Sequence, residues 1–100
     1  MLTWRFEWDE AKNRRNIRKH GLDFADVPEV FRGPVKARPD TREDYSEERW
    51  VALGLLKDRV VAIAFAQVGD DLIRIISFRR ADRDEREEFE EALQDRLGQD

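Results

Sequence analysis

The sequence contains no cysteine and a single histidine, His20, and both shortages limit the chemistry open to it. Without cysteine there is no disulfide framework and no thiolate ligand for a metal. One histidine leaves mainly carboxylates for any metal site, and no loop has the acidic spacing of a calcium site. Phosphate-binding glycine loops, dinucleotide fingerprints and nucleophile elbows are also missing. We therefore expect no metal and no cofactor.

Long apolar runs are also missing. The longest, Val60 to Ala66, is far too short to cross a bilayer, and the N-terminus turns polar at Arg5, so no signal peptide is expected. Of the 100 residues, 40% are hydrophobic and 42% are charged, which excludes a disordered tail. The sequence predicts one domain over residues 1–100, in a cytoplasmic protein without a membrane partner.

The net charge of −4 is unevenly distributed. Residues 82–100 carry nine acidic and three basic side chains, whereas residues 1–81 carry fourteen acidic and sixteen basic ones. Because salt water screens charges beyond about 8–10 Å, the field in a cleft depends on its neighbours rather than on the total. The acidic total therefore does not exclude RNA as a substrate.

The first helix has strong boundary signals. Asp9 can accept the first-turn amide hydrogens as an N-cap, and Gly21 tolerates the left-handed turn that ends a helix. These residues predict a helix over Glu10–His20. Its apolar face is thin, mainly Ala11 and Ile17, so we expect it to lie on the surface.

The remaining elements predict an α+β fold, an antiparallel meander packed against N-terminal helices and a C-terminal helix. Pro28 interrupts a second helix over Asp23–Phe31, which either kinks or starts late with Asp26 as its cap. The predicted strands are Thr3–Trp8, Val35–Arg38, Arg49–Leu56, Arg59–Val68 and Asp71–Arg79, with the apolar fourth one central. Residues 40–47 form a charged loop. Asp82 caps a last helix to Leu97, with Phe89, Ala92, Leu93 and Leu97 on one face.

The first candidate site lies at the end of the first helix. Its cations are Lys12, Arg14, Arg15, Arg18 and Lys19. His20 has a reference pKa near neutrality and could transfer a proton during phosphodiester cleavage, while Lys19 could offset phosphate charge. The alternative is that His20 only caps the helix by bonding its last carbonyls, and that the cations form a solvated face.

The second candidate site is Tyr45-Ser46-Glu47-Glu48-Arg49-Trp50, where the loop enters the meander. Arg49 has the planar fork that binds phosphate, and Glu48 could hold it or act as a base. The alternative is an exposed ion pair of little energetic value.

The third candidate site, Ile75-Ile76-Ser77-Phe78-Arg79-Arg80-Ala81, ends the last strand. Strand alternation places Ser77 and Arg79 on one face and Arg80 on the other, so we expect only Arg79 to enter a cleft. The alternative is that both arginines pair with the acids of residues 82–88, Arg80 more than Arg79.

These three segments together resemble the BrnT family of bacterial toxins. The first resembles its Trp-Asp-x-x-Lys and Asn-x-x-Lys-His-Gly-Leu-x-Phe pattern. The second resembles a Gly-Glu-x-Arg-Trp/Tyr stretch, with Ser46 replacing glycine. The third resembles Ile-Ile-Ser-Ala-Arg-Lys/Arg-Ala, with Phe78 replacing alanine. The likeness extends from about Trp4 to Arg86, and the two departures bear on substrate fit more than on fold.

The resemblance implies a RelE-like fold and metal-independent cleavage of RNA by its own 2′-hydroxyl. On this basis His20 or Glu48 would transfer the proton, and Arg49 and Arg79 would stabilise the phosphorane. Backbone contacts would come from Lys12, Arg15, Lys19 and Arg80. The implied partner is a BrnA-like ribbon-helix-helix antitoxin. The two proteins would form a heterotetramer in which only the antitoxin contacts DNA. The competing hypothesis is a non-catalytic module that binds RNA or antitoxin and acts as a co-repressor.

Overall fold

The computed structural model describes residues 3–42, 44 and 47–97 of the chain. Its helices are α1 (Glu10–His20), α2 (Val27–Phe31) and α3 (Arg83–Leu97). Its strands are β1 (Arg5–Glu7), β2 (Lys36–Pro39), β3 (Trp50–Leu56), β4 (Arg59–Gln67) and β5 (Leu72–Arg80). The predicted α+β class is confirmed, and most predicted boundaries agree within two residues. Tyr45 and Ser46 of the second candidate site lie outside the described residues.

The strands form one five-stranded sheet in the order β1-β5-β4-β3-β2. The pairs from β2 to β5 are antiparallel, which confirms the predicted meander. The short strand β1 pairs with β5 in parallel, over Arg5–Glu7 against Leu72 to Arg74. The prediction of a central β4 is confirmed, because it lies third in the sheet and Val61 to Ala66 are all buried.

The two faces of the sheet carry separate cores, because successive strand residues point to opposite sides. The larger core joins Ile63 and Phe78 of the sheet to residues from α2 and from the 3-10 turn at Phe24–Asp26 that precedes it. The smaller core joins Leu53 and Ala62 to Phe89 of α3. Helices α2 and α3 therefore cover opposite faces.

Helix α1 begins and ends at the predicted residues. The Asp9 carboxylate accepts the Lys12 amide hydrogen at 3.1 Å, and Gly21 has a φ of 71°. Ile17 of its predicted apolar face is 40% exposed, however, and is not part of the core. Its buried residues are Asn13 and Asn16. The helix is therefore attached to the fold by polar side chains.

The second helix starts late, as one of the two alternatives predicted. Pro28 occupies its first turn, where its missing amide hydrogen costs no hydrogen bond. Asp26 precedes the helix, but its side chain caps nothing, and Asp23 instead caps the 3-10 turn by accepting the Ala25 amide hydrogen.

Helix α3 covers the predicted residues, but its apolar face is shorter than predicted. Phe89 is buried and Leu93 is half-buried against the smaller core. Leu97 is 66% exposed and takes no part, so its inclusion in that face was wrong.

Candidate active site

A groove runs between α1 and the second half of β5. Its wall comprises Lys12, Arg15, Asn16, Lys19, His20, Ile76 and Ser77. The pairing of β4 with β5 skips Ile76, because Ala64 pairs with Ser77 whereas Phe65 pairs with Ile75. Such a bulge re-aims the side chains around it. The groove thus joins three predicted cations and the histidine to the strand that carries Arg79.

His20 lies half-buried at the end of α1. Burial lowers its pKa below the ordinary value of 6.5, and the positive charges of Lys19 and Arg79 lower it further. A histidine serving as a cationic cap at a helix C-terminus would have a raised pKa instead. The imidazole also makes no hydrogen bond to any of the described residues, so the helix-capping alternative has no support from the geometry.

Arg79 lies on the same sheet face as Ser77, since β4 pairs Ala62 with Arg79 and Ala64 with Ser77. Its Nη1 and Nη2 atoms donate to the two carboxylate oxygens of Glu85 at 2.7 and 3.0 Å. The hydrogen bond that Arg79 donates to Glu85 raises the pKa of Arg79 above its ordinary value. The predicted alternative of pairing with residues 82–88 therefore holds for Arg79, and Glu85 fixes the direction of its guanidinium.

Glu85 also belongs to the start of α3. Asp82 accepts the Glu85 amide hydrogen at 2.8 Å, and Glu85 accepts the Asp82 amide hydrogen at 2.9 Å, which is a capping box. Burial acts to raise the pKa of Glu85. The hydrogen bonds from Arg79 and Asp82 and the charge of Arg79 outweigh it, so the pKa lies below its ordinary value. Sequence analysis counted Glu85 only among the acids of residues 82–88 and missed the capping box, although the Asp-x-x-Glu spacing signals it.

Two further arginines lie towards the same region, and sequence reasoning missed both. Arg42 donates to both carboxylate oxygens of the buried Asp40, each at 2.9 Å, and its charge acts on Arg79. Arg38 of β2 donates to Glu88 of α3 at 2.9 Å. Only the register of a folded sheet brings these residues near Arg79, so no local sequence signal marks them.

The residues of the second predicted site lie on opposite faces of the sheet. Val51 lies on the face of Ser77 and Arg79, because Ala64 pairs with both Val51 and Ser77. Arg49 precedes Val51 by two residues and so lies on that face, with its Nε atom 3.6 Å from the Glu47 carboxylate. Glu48 is exposed and lines another groove, beside Trp50, Gln67 and Gly69. The structure therefore does not bring Glu48 together with His20.

Arg80 follows the predicted alternation. It pairs with Val61, whose side chain belongs to the larger core, so Arg80 lies on the sheet face opposite to Arg79. It is exposed, and its side chain makes no hydrogen bond or ion pair within the described part of the chain.

Among residues 3–42, 44 and 47–97, no three His, Asp or Glu side chains converge closely enough to hold a metal ion. None of the described helices has the length and apolar character needed to cross a membrane.

Comparison with known proteins identifies a matching family and a similar solved structure. The model of the family described as "Ribonuclease toxin, BrnT, of type II toxin-antitoxin system" matches residues 8–85. A 1.1 Å crystal structure of the Brucella abortus ribonuclease toxin BrnT is 35% identical, with a TM-score of 0.62. The match covers 81% of this chain and 100% of that one. No curated protein matched by sequence. The chain belongs to the BrnT family of ribonuclease toxins of type II toxin–antitoxin systems.

Proposed function

We propose that this protein is a metal-independent endoribonuclease whose active site is the groove between α1 and β5. The observation that carries the proposal is the position of His20, which lies half-buried within electrostatic reach of Arg79. A proton-transfer group beside a fixed guanidinium is what cleavage of a phosphodiester requires when no metal stabilises the developing charge.

The proposed reaction begins at the RNA 2′-hydroxyl. The neutral imidazole of His20 removes its proton, and the oxygen attacks the adjacent phosphorus. A pentavalent phosphorane forms, whose negative charge is stabilised by Arg79 and by Arg49 on the same sheet face. The bond to the 5′-oxygen then breaks, and that oxygen takes a proton from water. The hydroxide left behind is neutralised by the proton that His20 releases, and a 2′,3′-cyclic phosphate remains. The lowered pKa of His20 favours the base role, because the imidazole is then neutral at pH 7.

The RNA backbone would bind along the exposed cations of α1 that line the groove, Lys12, Arg15 and Lys19. We leave Arg80 out of the site because it lies on the opposite sheet face. Glu48 is also left out, because it lines a different groove from His20.

The proposed partner is a BrnA-like antitoxin of the ribbon-helix-helix class. Two toxins and two antitoxins would form a heterotetramer through antitoxin dimerisation, and DNA would be bound only by the antitoxin. Membership of a type II toxin–antitoxin family supports a protein partner that neutralises the toxin.

The test uses purified protein freed of antitoxin, with RNA integrity followed on a gel. Cleavage should persist in EDTA and leave a 2′,3′-cyclic phosphate or a 3′-phosphate. DNA, and RNA methylated at the 2′-oxygen, should remain intact as matched controls. Cleavage that EDTA abolishes and magnesium restores would refute the mechanism. RNA that is bound but never cut would instead support the co-repressor hypothesis.

A further inference from the structure

Two buried asparagines attach α1 to the rest of the fold. Asn13 and Asn16 are 6% and 7% exposed, although they lie on a helix whose other residues are exposed or half-buried. Buried amides are costly unless both ends find hydrogen-bond partners. Both of these do, but they bond to different parts of the fold.

Asn13 bonds to the segment that follows the helix. Its Nδ2 donates to Asp23 at 2.9 Å, and its Oδ1 accepts the Phe24 amide hydrogen at 2.9 Å. These contacts fix the turn after α1 and include no residue of the sheet.

Asn16 bonds to the sheet itself. Its Oδ1 accepts the Phe78 amide hydrogen at 3.0 Å, and its Nδ2 donates to the Phe78 carbonyl at 2.8 Å and to the Leu22 carbonyl at 2.9 Å. Strand β1 pairs with β5 only as far as Arg74, so among the described residues no strand lies beside the edge of β5 at Phe78. The Asn16 amide occupies the place of that strand, because it offers the same donor and acceptor as a peptide group.

We propose that Asn16 is the positioning residue of the active site, which fixes His20 against Arg79 by bonding α1 to the β5 backbone at Phe78. His20 follows Asn16 by four residues and so lies on the same helix face one turn further along. Phe78 lies between Ser77 and Arg79 in sequence. One amide therefore sets the distance between the base and the arginine, an assignment that rests on the proposed function.

The role of Asn16 can be measured without any catalytic assay. His20 is the only histidine, so the imidazole signals of the folded protein report one titration by NMR. A movement of α1 carries His20 together with Lys12, Arg15 and Lys19, so their distances to the imidazole change little. Arg79 belongs to β5 and does not move with the helix. Movement of α1 away from β5 would expose the ring and remove the Arg79 charge. Both changes would raise the pKa of His20.

The experiment compares Asn16→Leu with Asn13→Leu in the full chain. Leucine has the same branching as asparagine but no hydrogen-bonding group, so each variant removes the amide while keeping a side chain of the same length. Both should melt at lower temperature. Only Asn16→Leu should raise the pKa of His20 towards its ordinary value and increase hydrogen exchange at Phe78. In the RNA assay Asn16→Leu should lower kcat on the order of a hundredfold, the effect of misplacing a catalytic group by about 1 Å, with a smaller change in KM.

An unchanged His20 titration in folded Asn16→Leu, or an equal shift in Asn13→Leu, would overturn the assignment. If Asn16→Leu does not fold, Asn16→Ala replaces it, because the smaller side chain leaves room for water to bond Phe78. If the wild-type protein does not cleave RNA, the proposed function fails while the titration still decides the role of Asn16.

Discussion

Arg79 ends the last strand with its guanidinium bonded to both carboxylate oxygens of Glu85, at 2.7 and 3.0 Å. The Arg79 side chain is 27% exposed and that of Glu85 only 9%, so the pair is shielded from water on the helix side. A bidentate pair fixes a guanidinium more firmly than a single contact does. The arginine proposed to contact the phosphorane is therefore held in one orientation before substrate binds.

We expect Arg79→Ala to lower kcat for RNA cleavage by about 100- to 1,000-fold, the cost of losing one donor to a developing oxyanion. It should also destabilise the fold by about 1–3 kcal/mol, because the buried Glu85 carboxylate loses its partner. Urea unfolding and single-turnover cleavage, measured on the same preparation, would give the two numbers.

Glu85→Gln is the matched control for this loss of stability. Glutamine keeps an acceptor for the Asp82 amide hydrogen and removes the buried charge. The double variant Arg79→Ala with Glu85→Gln should recover part of the stability but none of the activity. Recovery of cleavage in the double variant would mean that Arg79 serves the fold rather than the reaction.

The pKa of His20 makes a second prediction, on the pH dependence of cleavage. The folded-state pKa lies below 6.5, so the imidazole is neutral at pH 7 and gains a proton only as the pH falls. If His20 is the base, kcat/KM, which reports the pKa values of the free enzyme, should fall on the acid side with a midpoint below 6.5. His20→Ala should lose most of the activity and that acid limb together.

A general acid would give the reverse profile, with activity lost as the pH rises through the pKa of His20. If the loss of activity at low pH persists unchanged in His20→Ala, the titrating group is a residue other than His20.

The stability of the folded protein should be measured over the same range of pH. A lowered histidine pKa means that the unfolded chain binds the proton more readily, so unfolding also becomes easier below pH 6.5.

The elements of this fold could be predicted because their signals are local. Asp9 and Gly21 marked both ends of α1, and the apolar run of β4 marked the centre of the sheet. The placement of Arg79 and Arg80 on opposite faces of the sheet followed directly from strand geometry. Each of these signals lies within a few residues of the feature it determines.

The contacts that build the site could not be predicted in the same way. Asn16 and Phe78 are 62 residues apart, and the asparagine has a polar side chain on a helix with a thin apolar face. Hydrophobic periodicity therefore could not mark it as the buried contact. The partner of Arg38 is similarly distant, since Glu88 lies 50 residues further along the chain. Only the tertiary fold determines which polar residues pair.

The cations of α1 predict where a neutralising partner binds. Co-expression with the neighbouring gene product should give one complex that elutes as a heterotetramer. The double variant Lys12→Glu, Arg15→Glu should weaken it at least about tenfold, a loss of about 1.4 kcal/mol, and more at low salt. Arg59→Glu, a charge reversal at the exposed first residue of β4, is the control and should bind normally. Toxin and antitoxin eluting separately at micromolar concentration would contradict this prediction.

The smaller core makes the last prediction, on stability alone. Phe89 of α3 is 3% exposed and belongs to the same buried core as Val51, Leu53 and Ala62. Truncation of a buried phenylalanine costs about 3–5 kcal/mol, from lost burial and the cavity left behind. In a domain of this size each kcal/mol lowers Tm by about 4–8 °C, so Phe89→Ala should melt far below the wild type. Leu97→Ala, on the same helix but 66% exposed, should leave Tm nearly unchanged. Equal melting of the two variants would mean that α3 is not held to the sheet by Phe89.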